Sequence, residues 1–311
     1  MTPREQLSVL IFLLLIFVVA GVEVWLLGWS VANKLRRRRV RRVLLARRAI
    51  VLHVLVAVMV VCMLYGFLVE PRWIETTFVT LHTPKLKDTS FRIVQISDLH
   101  CDTTGRSEAR AVQIINALKP DIVVATGDYL NDASALGLLR NTLRGLQAPL
   151  GVFAVTGNFE SSHWSHLDLF AWTDVHLLRQ STVTLTKGDE SITLSGLDID
   201  RAAACWDLLA DLPRERFNVF LYHKPDLIEA VCHLPVDLYL CGHTHGGQVA
   251  LPFYGALVTF SKFGKKYESG RYRVGDTVLY VNRGLGLEPR PAPQVRFLAR
   301  PEISVFDIHP E

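Results

Sequence analysis

Apolar positions along this chain fall into three patterns. Leu7–Val31 and Ala49–Val69 are long apolar stretches, the first broken only by Glu23 and the second carrying His53 alone as a group that ionises near neutrality. Each is long enough to cross a hydrocarbon core of ~30 Å, so the pattern predicts two spanning helices in a hairpin. The second pattern is short and continuous: Phe91–Ile96, Ile122–Thr126, Val152–Thr156, Val219–Leu221 and Leu238–Cys241. Such runs read as strands buried on both faces of a parallel sheet. The third alternates, at Thr182–Thr186 and Ser191–Ser195 around Lys187-Gly188-Asp189-Glu190, and at Tyr272–Val274 and Thr277–Val281 around Gly275-Asp276. Both read as hairpins.

Thr76–Leu81 is strand-like, and helical segments at Arg106–Leu118 and Ala133–Leu146 separate the first three apolar runs. Pro120 and Pro149 then stand just before strands, where a helix has to have ended. A chain that is part βαβ and part hairpin predicts two packed sheets with helices outside. Glu70-Pro71-Arg72-Trp73 punctuates the exit from the second long stretch. The expected division is a membrane anchor over 1–70 (spans 7–31 and 49–69, basic loop 34–48) and a soluble domain over 71–311.

Every one of the five apolar runs ends in a polar cluster. These are Ser97-Asp98-Leu99-His100, Gly127-Asp128, Gly157-Asn158, Tyr222-His223 and Gly242-His243-Thr244-His245. In open α/β sheets ligands bind beyond the carboxyl ends of the strands, so the clusters are expected along one sheet edge. Together they bring two carboxylates, one amide and four imidazoles. Taken singly, Gly-Asp and Gly-Asn are ordinary turn sequences. The segment Gly242-His243-Thr244-His245-Gly246-Gly247 is not, because two imidazoles two residues apart before paired glycines do not read as core packing. Seven metal-competent side chains exceed the needs of one ion, and mixed Asp/Asn/His ligation suits two ions such as Mn, Fe or Zn. The expectation is a dinuclear metal centre.

The series Asp98-x-His100, Gly127-Asp128, Gly157-Asn158, His223 and Gly242-His243-x-His245 resembles the signature of calcineurin-like metallophosphoesterases over residues 91–308. That resemblance implies an αββα sandwich of two mixed sheets and hydrolysis of phosphate esters or pyrophosphates with two divalent ions, Mn foremost and Fe or Zn as alternatives. It implies that Asp128 bridges the ions, that Asp98, His100 and His245 complete one, and that Asn158, His223 and His243 complete the other. A carboxylate can span ions ~3.5–4 Å apart, the separation of two-metal phosphoryl-transfer sites. Gly246-Gly247-Gln248-Val249 and Val281-Asn282-Arg283-Gly284-Leu285-Gly286 are similar to a membrane-anchored bacterial branch of that family.

One block departs from the family pattern. Gly-Asn-His before an acidic residue is usual, and this chain has Gly157-Asn158-Phe159-Glu160. The missing histidine would protonate the leaving oxygen, a role worth about 10²–10⁴ in rate. Three readings follow: a weakened enzyme, replacement of the acid by His163 or His166, or a leaving group that needs no proton. A phosphomonoester, with a second pKa near ~6, is such a group. The resemblance then points to the UDP-2,3-diacylglucosamine pyrophosphatases of lipid A synthesis, some of which also lack that histidine. A general phosphodiesterase or phosphatase is the alternative, and a metal-binding membrane protein without turnover is a third reading.

Charge adds topology. Lys34, Arg36–Arg39, Arg41, Arg42, Arg47 and Arg48 supply nine cations between the two spans, so the remaining chain is net −5 although the whole is +4. Such a run beside a span fixes orientation or binds anionic head groups. With no aromatic residues interleaved it argues against nucleic acid as a partner, and no protein partner is inferable. The expected location is the bacterial inner membrane, multi-pass. The cations put their loop in the cytoplasm and the catalytic domain outside, whereas five unpaired-looking cysteines (Cys62, Cys101, Cys205, Cys232, Cys241) lean toward a reducing compartment. Cys101 and Cys241 adjoin the clusters and are expected near the metals or as small buried residues.

Overall fold

In the computed structural model, which describes residues 2–35, 43–290 and 292–311, each of the five short apolar runs is a strand. The chain enters through helices α1 (Pro3–Leu35) and α2 (Val43–Leu64). Strands and helices then follow as β1 (Glu75–Thr83), β2 (Phe91–Ile96), α3 (Glu108–Ala117), β3 (Ile122–Thr126), α4 (Leu136–Arg144), β4 (Val152–Val155), α5 (Asn158–His163) and β5 (Val175–Leu177). The second half holds β6 (Gln180–Lys187), β7 (Glu190–Leu197), α6 (Cys205–Leu209), β8 (Phe217–Leu221), α7 (Ile228–Val231) and β9 (Leu238–Cys241). It ends with β10 (Ala250–Leu251), β11 (Gly255–Ala256), β12 (Gly270–Val274), β13 (Thr277–Val281) and β14 (Glu302–Pro310).

Two mixed six-stranded sheets result, ordered β1-β14-β2-β3-β4-β5 and β12-β13-β9-β8-β7-β6. The strands β2, β3, β4 and β5 run parallel, as do β7, β8, β9 and β13. Alternation along each strand explains why the runs are apolar on both faces. Ile93, Ile122, Val124 and Phe153 meet Ile192, Val219, Leu221 and Leu240 between the sheets. Their neighbours Val94, Val123 and Ala125 pack instead with Ile115 of α3 and Leu139 of α4. On the other side Phe220, Tyr239 and Leu279 pack with Leu209 of α6 and Ile228 of α7. This is the expected αββα sandwich. Cys101 and Cys241 belong to the two outer cores and serve as small apolar residues there.

Segments Pro3–Trp29 and Ile50–Arg72 are each long and apolar enough to cross a membrane. Glu23 and His53, the polar interruptions of the two stretches, meet at 2.5 Å across the hairpin. A polar pair of this kind gives each polar group a partner inside two apolar helices. The basic residues 36–42 lie outside the described residues, as do the side chains of Lys34, Arg47 and Arg48.

Both ends of the hairpin are bonded to the sandwich. After α2 the chain makes a wide helical turn (Tyr65–Val69) and a tight one (Glu70–Arg72). There the Gly66 carbonyl accepts the Arg296 N–H (2.9 Å), and the buried Glu70 Oε1 accepts the Ala299 N–H (2.6 Å). At the start of α1, Glu5 Oε1 accepts from both N–H and Oγ1 of Thr259 at 2.7 Å, and Ser8 bonds Tyr254. These contacts cross the boundary expected at residue 70, and they place the first turn of α1 on the sandwich side of the hairpin.

Candidate metal centre

Parallel strands deliver their C-terminal loops to one edge, and the two sheets bring their edges together. From the first sheet come Asp98 and His100 after β2, Asp128 after β3 and Asn158, which opens α5 after β4. From the second come His223 after β8 and His243 and His245 after β9. Glycines permit the closeness. A Cβ on Gly242 would lie 2.0 Å from Ser97 Oγ and 2.1 Å from Asp98 Oδ2, and one on Gly157 would lie 2.2 Å from Asp128 Oδ1. Asp98, His100, Asp128, His243 and His245 all have positive φ, between 42° and 72°. Non-glycine residues pay for that conformation, and such strain concentrates where function requires a particular side-chain direction.

Two groups of ligand atoms form. Asp98, His100 and His245 make one, and Asp128, His223 and His243 the other; within each, the atoms lie within 4.8 Å of one another and all six residues are buried. Asp128 Oδ2 faces both groups, 3.2 Å from His223 Nε2 and 3.8 Å from His100 Nε2. Three rings have one nitrogen committed to the protein. His100 Nδ1 donates to Asn131 Oδ1 (2.6 Å), His223 Nδ1 to the Thr126 carbonyl (2.7 Å) and His243 Nε2 to the Phe260 carbonyl (3.3 Å). For the neutral rings of His100 and His243 the tautomer is thereby set, with the opposite nitrogen left as a lone pair.

Those opposite atoms have no partner. Among the described residues thirteen buried side-chain nitrogen or oxygen atoms lack a hydrogen bond, and five belong to the two groups: Nε2 of His100, His223 and His245, Nδ1 of His243 and Oδ2 of Asp128; Oδ1 of Asn158, at the start of α5, is another of the thirteen. A buried unpaired polar atom costs about 1–3 kcal/mol, so five grouped together are tolerable only if something binds them. Burial holds His100 down to about 4, His243 down to about 3 and His245 well below its ordinary range, so all three are neutral at pH 7. Burial acts to lower His223 as well, but the Asp128 carboxylate outweighs it and raises the ring to about 9. The donor set fits two divalent cations.

Further residues brace the centre. Buried Glu160 accepts the N–H groups of Asp128 (2.9 Å), Tyr129 (2.8 Å) and Gly157 (2.7 Å), tying the β3 and β4 loops together. Arg296, fully buried, donates to the carbonyls of Gly286 (2.6 Å), Ala299 (2.8 Å) and Arg283 (2.9 Å), and its Nη2 lies 3.3 Å from His245 Nδ1. Glu288 Oε1 lies 3.5 Å from His245 Nε2. Asn131, Glu288 and Arg296 carry no motif; only the nearness of Asn131 to Gly127-Asp128 signals a role.

Phe159 packs edge-on against the His100 ring, centroids 4.9 Å apart, while its N–H donates to Asp128 Oδ1 (2.9 Å). His163 is exposed and stacks on Phe159 at 5.3 Å, and exposed His166 lies in a groove with Trp164 and Asp198. Among the described residues neither makes a hydrogen bond to the two ligand groups. The position of the usual acid is aromatic, and His163 is the imidazole stacked directly on it.

The pattern of the family described as calcineurin-like phosphoesterase matches residues 91–247, a span that contains all seven ligand candidates. A metallophosphoesterase of Bacillus subtilis, YkuE, is 36% identical over 262 residues, 78% of this chain and 88% of its own length. The chain belongs to the calcineurin-like phosphoesterase family. Its membership makes it a metal-dependent phosphoester hydrolase with a dinuclear centre. Two further relatives of this phosphoesterase have named activities. One is the UDP-2,3-diacylglucosamine pyrophosphatase LpxG of Chlamydia muridarum, 28% identical over 81% of this chain and 94% of its own length. The other is the phosphodiesterase YaeI of Escherichia coli, 30% identical over 77% of this chain and 90% of its own length.

Proposed function

We propose that this phosphoesterase hydrolyses a phosphate ester or pyrophosphate bond in a membrane-borne substrate, with UDP-2,3-diacylglucosamine as the best candidate and UMP and the lipid sugar phosphate as products. The reading rests on five unpartnered ligand atoms grouped in a chain that also carries two membrane-competent helices. In it, Asp98, His100 and His245 hold one divalent ion and Asn158, His223 and His243 the other, with Asp128 between them. Manganese suits this hard-to-borderline set, and Fe or Zn are the alternatives. Such ions, when bound, supply Lewis acidity at phosphorus and an activated water. Asp128 fixes the separation of the two ligand groups, and Glu160 holds the Asp128 and Asn158 loops in place. The neutral imidazoles and the amide keep the negative charge low enough for a phosphate to approach.

Phe159 is the specific support for a pyrophosphate. It presents no proton beside His100, so the bond broken has to expel a stable anion. A second reading takes its support from charge. Glu5 and Ser8 bond the sandwich, so the sandwich and the start of α1 share one side of the bilayer and the nine cations the other. The positive-inside rule then sets the sandwich outside the bacterial inner membrane, where a general lipid-phosphate esterase is the better match.

Phe159→His decides between them. On a nucleotide–lipid pyrophosphate the change should leave saturated turnover within about twofold, whereas on alkyl phosphodiesters it should raise it about 10²-fold or more. Turnover measured across leaving groups of graded pKa is the check. Equal gains across the series would remove the leaving-group reasoning and the pyrophosphate assignment with it.

A further inference from the structure

A cleft of about 630 Å³ opens beside the centre, within the range of about 300–1,000 Å³ usual for ligand pockets. One wall is the membrane exit, with Phe67, Pro71 and Arg72; another includes Asn131, whose Oδ1 accepts the His100 N–H. Arg106 and Arg290 line it as well. The three arginines come from three separate segments, and among the described residues none is paired with a carboxylate; Arg72 donates to the Leu68 carbonyl (2.9 Å). Asp102 and Asp132 also border the cleft, but each carboxylate is turned to its own loop, Asp102 to Thr103 N–H and Asp132 to Ser134. An arginine at a span exit is ordinarily an interfacial anchor, which accounts for Arg72 alone. Arg106 and Arg290 belong to loops of the sandwich, so their convergence on the same cleft needs another cause.

The cleft shares a wall with the exit of the second apolar helix, at Phe67, Pro71 and Arg72. Exposed apolar side chains surround the points where the hairpin is bonded: Phe253, Tyr254 and Phe260 near the start of α1, and Leu298 next to the segment held by Gly66 and Glu70. Phe253, Phe260 and Leu298 all have positive φ, a conformation that costs folding energy for a side chain left in water. Aromatic and aliphatic tips beside two span ends are suited to the boundary between head groups and acyl chains.

We propose that this cleft binds the phosphate-bearing head group of a bilayer lipid, with Arg72, Arg106 and Arg290 on the anionic oxygens and the acyl chains leaving along Phe67. The proposal rests on the membrane-borne substrate argued above and adds the route: the head group enters from the bilayer and meets the metal centre past Asn131. Guanidinium groups suit it because their paired N–H donors match phosphate oxygens.

The test uses the full chain in phosphatidylcholine nanodiscs, metal-loaded, titrated separately with dioctanoyl phosphatidic acid, dioctanoyl phosphatidylcholine and inorganic phosphate. Phosphatidic acid should bind, and Arg106→Gln and Arg290→Gln should each weaken it about tenfold, the double variant more. Arg290 is exposed, so its replacement leaves the core intact, and Arg106→Lys should recover part of the loss. Undiminished binding in both variants overturns the proposal. Inorganic phosphate binding as tightly, with the same arginine dependence, overturns the lipid assignment and leaves a free-phosphate site. Hydrolysis of a soluble diester by the unmodified chain reports separately on the enzymatic reading: a chain that binds lipid through these arginines yet cleaves nothing would sink that reading and spare the cleft.

Discussion

The two ligand groups look alike in composition but are supported differently. Asp98, His100 and His245 lean on side chains: Asn131 behind His100, Arg296 and Glu288 beside His245. In the group of Asp128, His223 and His243, both rings lean on main-chain carbonyls, those of Thr126 and Phe260. A carbonyl brace is supplied by the fold whatever residue bears it, whereas a side-chain brace is lost with one substitution. The two groups also meet the hairpin at different helices: the segment carrying Arg296 bonds Gly66 and Glu70 beyond α2, whereas Thr259, next to Phe260, bonds Glu5 of α1. The contrast teaches that two ions held by nearly the same donors need not be equally secure.

The largest effect should come from the residue that belongs to both. Asp128→Ala removes the atom facing His100 and His223 together. Bound metal should fall below one ion per chain, and activity by about 10³-fold or more. Metal counting by mass spectrometry of the native protein checks this; two retained ions would remove Asp128 from the bridge.

Next comes the asymmetry itself. Arg296→Met strips the donors from the Gly286, Ala299 and Arg283 carbonyls and should destabilise the chain by about 3 kcal/mol or more, because buried acceptors are left unpaired. Where the variant is still folded it should bind one ion normally and the other weakly. Glu70→Ala, which loses the Ala299 contact but keeps Glu5 on Thr259, should show the same selective loss in milder form. Calorimetric metal titration of both would show it, and equal weakening of the two ions would dissolve the distinction between the groups.

The smallest effects separate the two kinds of brace. Asn131→Ala leaves the ligands untouched and frees the His100 ring, which should weaken one ion about 10–100-fold. Asn158→Ala takes one neutral ligand from the other ion and should cost about tenfold. A larger loss at Asn158 than at Asn131 would reverse the ranking.

Much of this was legible in the residues. Continuous apolar runs identified β2, β3, β4, β8 and β9 because a strand buried on both faces has no polar side to show. Their polar ends named all seven ligand candidates. Strand β5, only three residues long and partly exposed, gave no such signal. Expected helix ends shifted by a residue or more, with Arg106–Leu118 becoming Glu108–Ala117. Where local composition and burial agree, a sequence declares its structure.

What the chain could not declare lies in contacts between distant segments. Arg296 reads as one more arginine until the fold buries it behind His245, and Glu288 reads as a surface acid. Carbonyl braces are invisible in principle, because every residue carries a C=O and only the tertiary path decides which one a ring nitrogen meets. The cleft of Arg72, Arg106 and Arg290 is a product of three segments that only folding assembles. Ligand identity is thus written locally, in side-chain chemistry at strand ends. Ligand orientation, and the attachment of the centre to the membrane, depend on which groups come within hydrogen-bonding reach once the sheets pack.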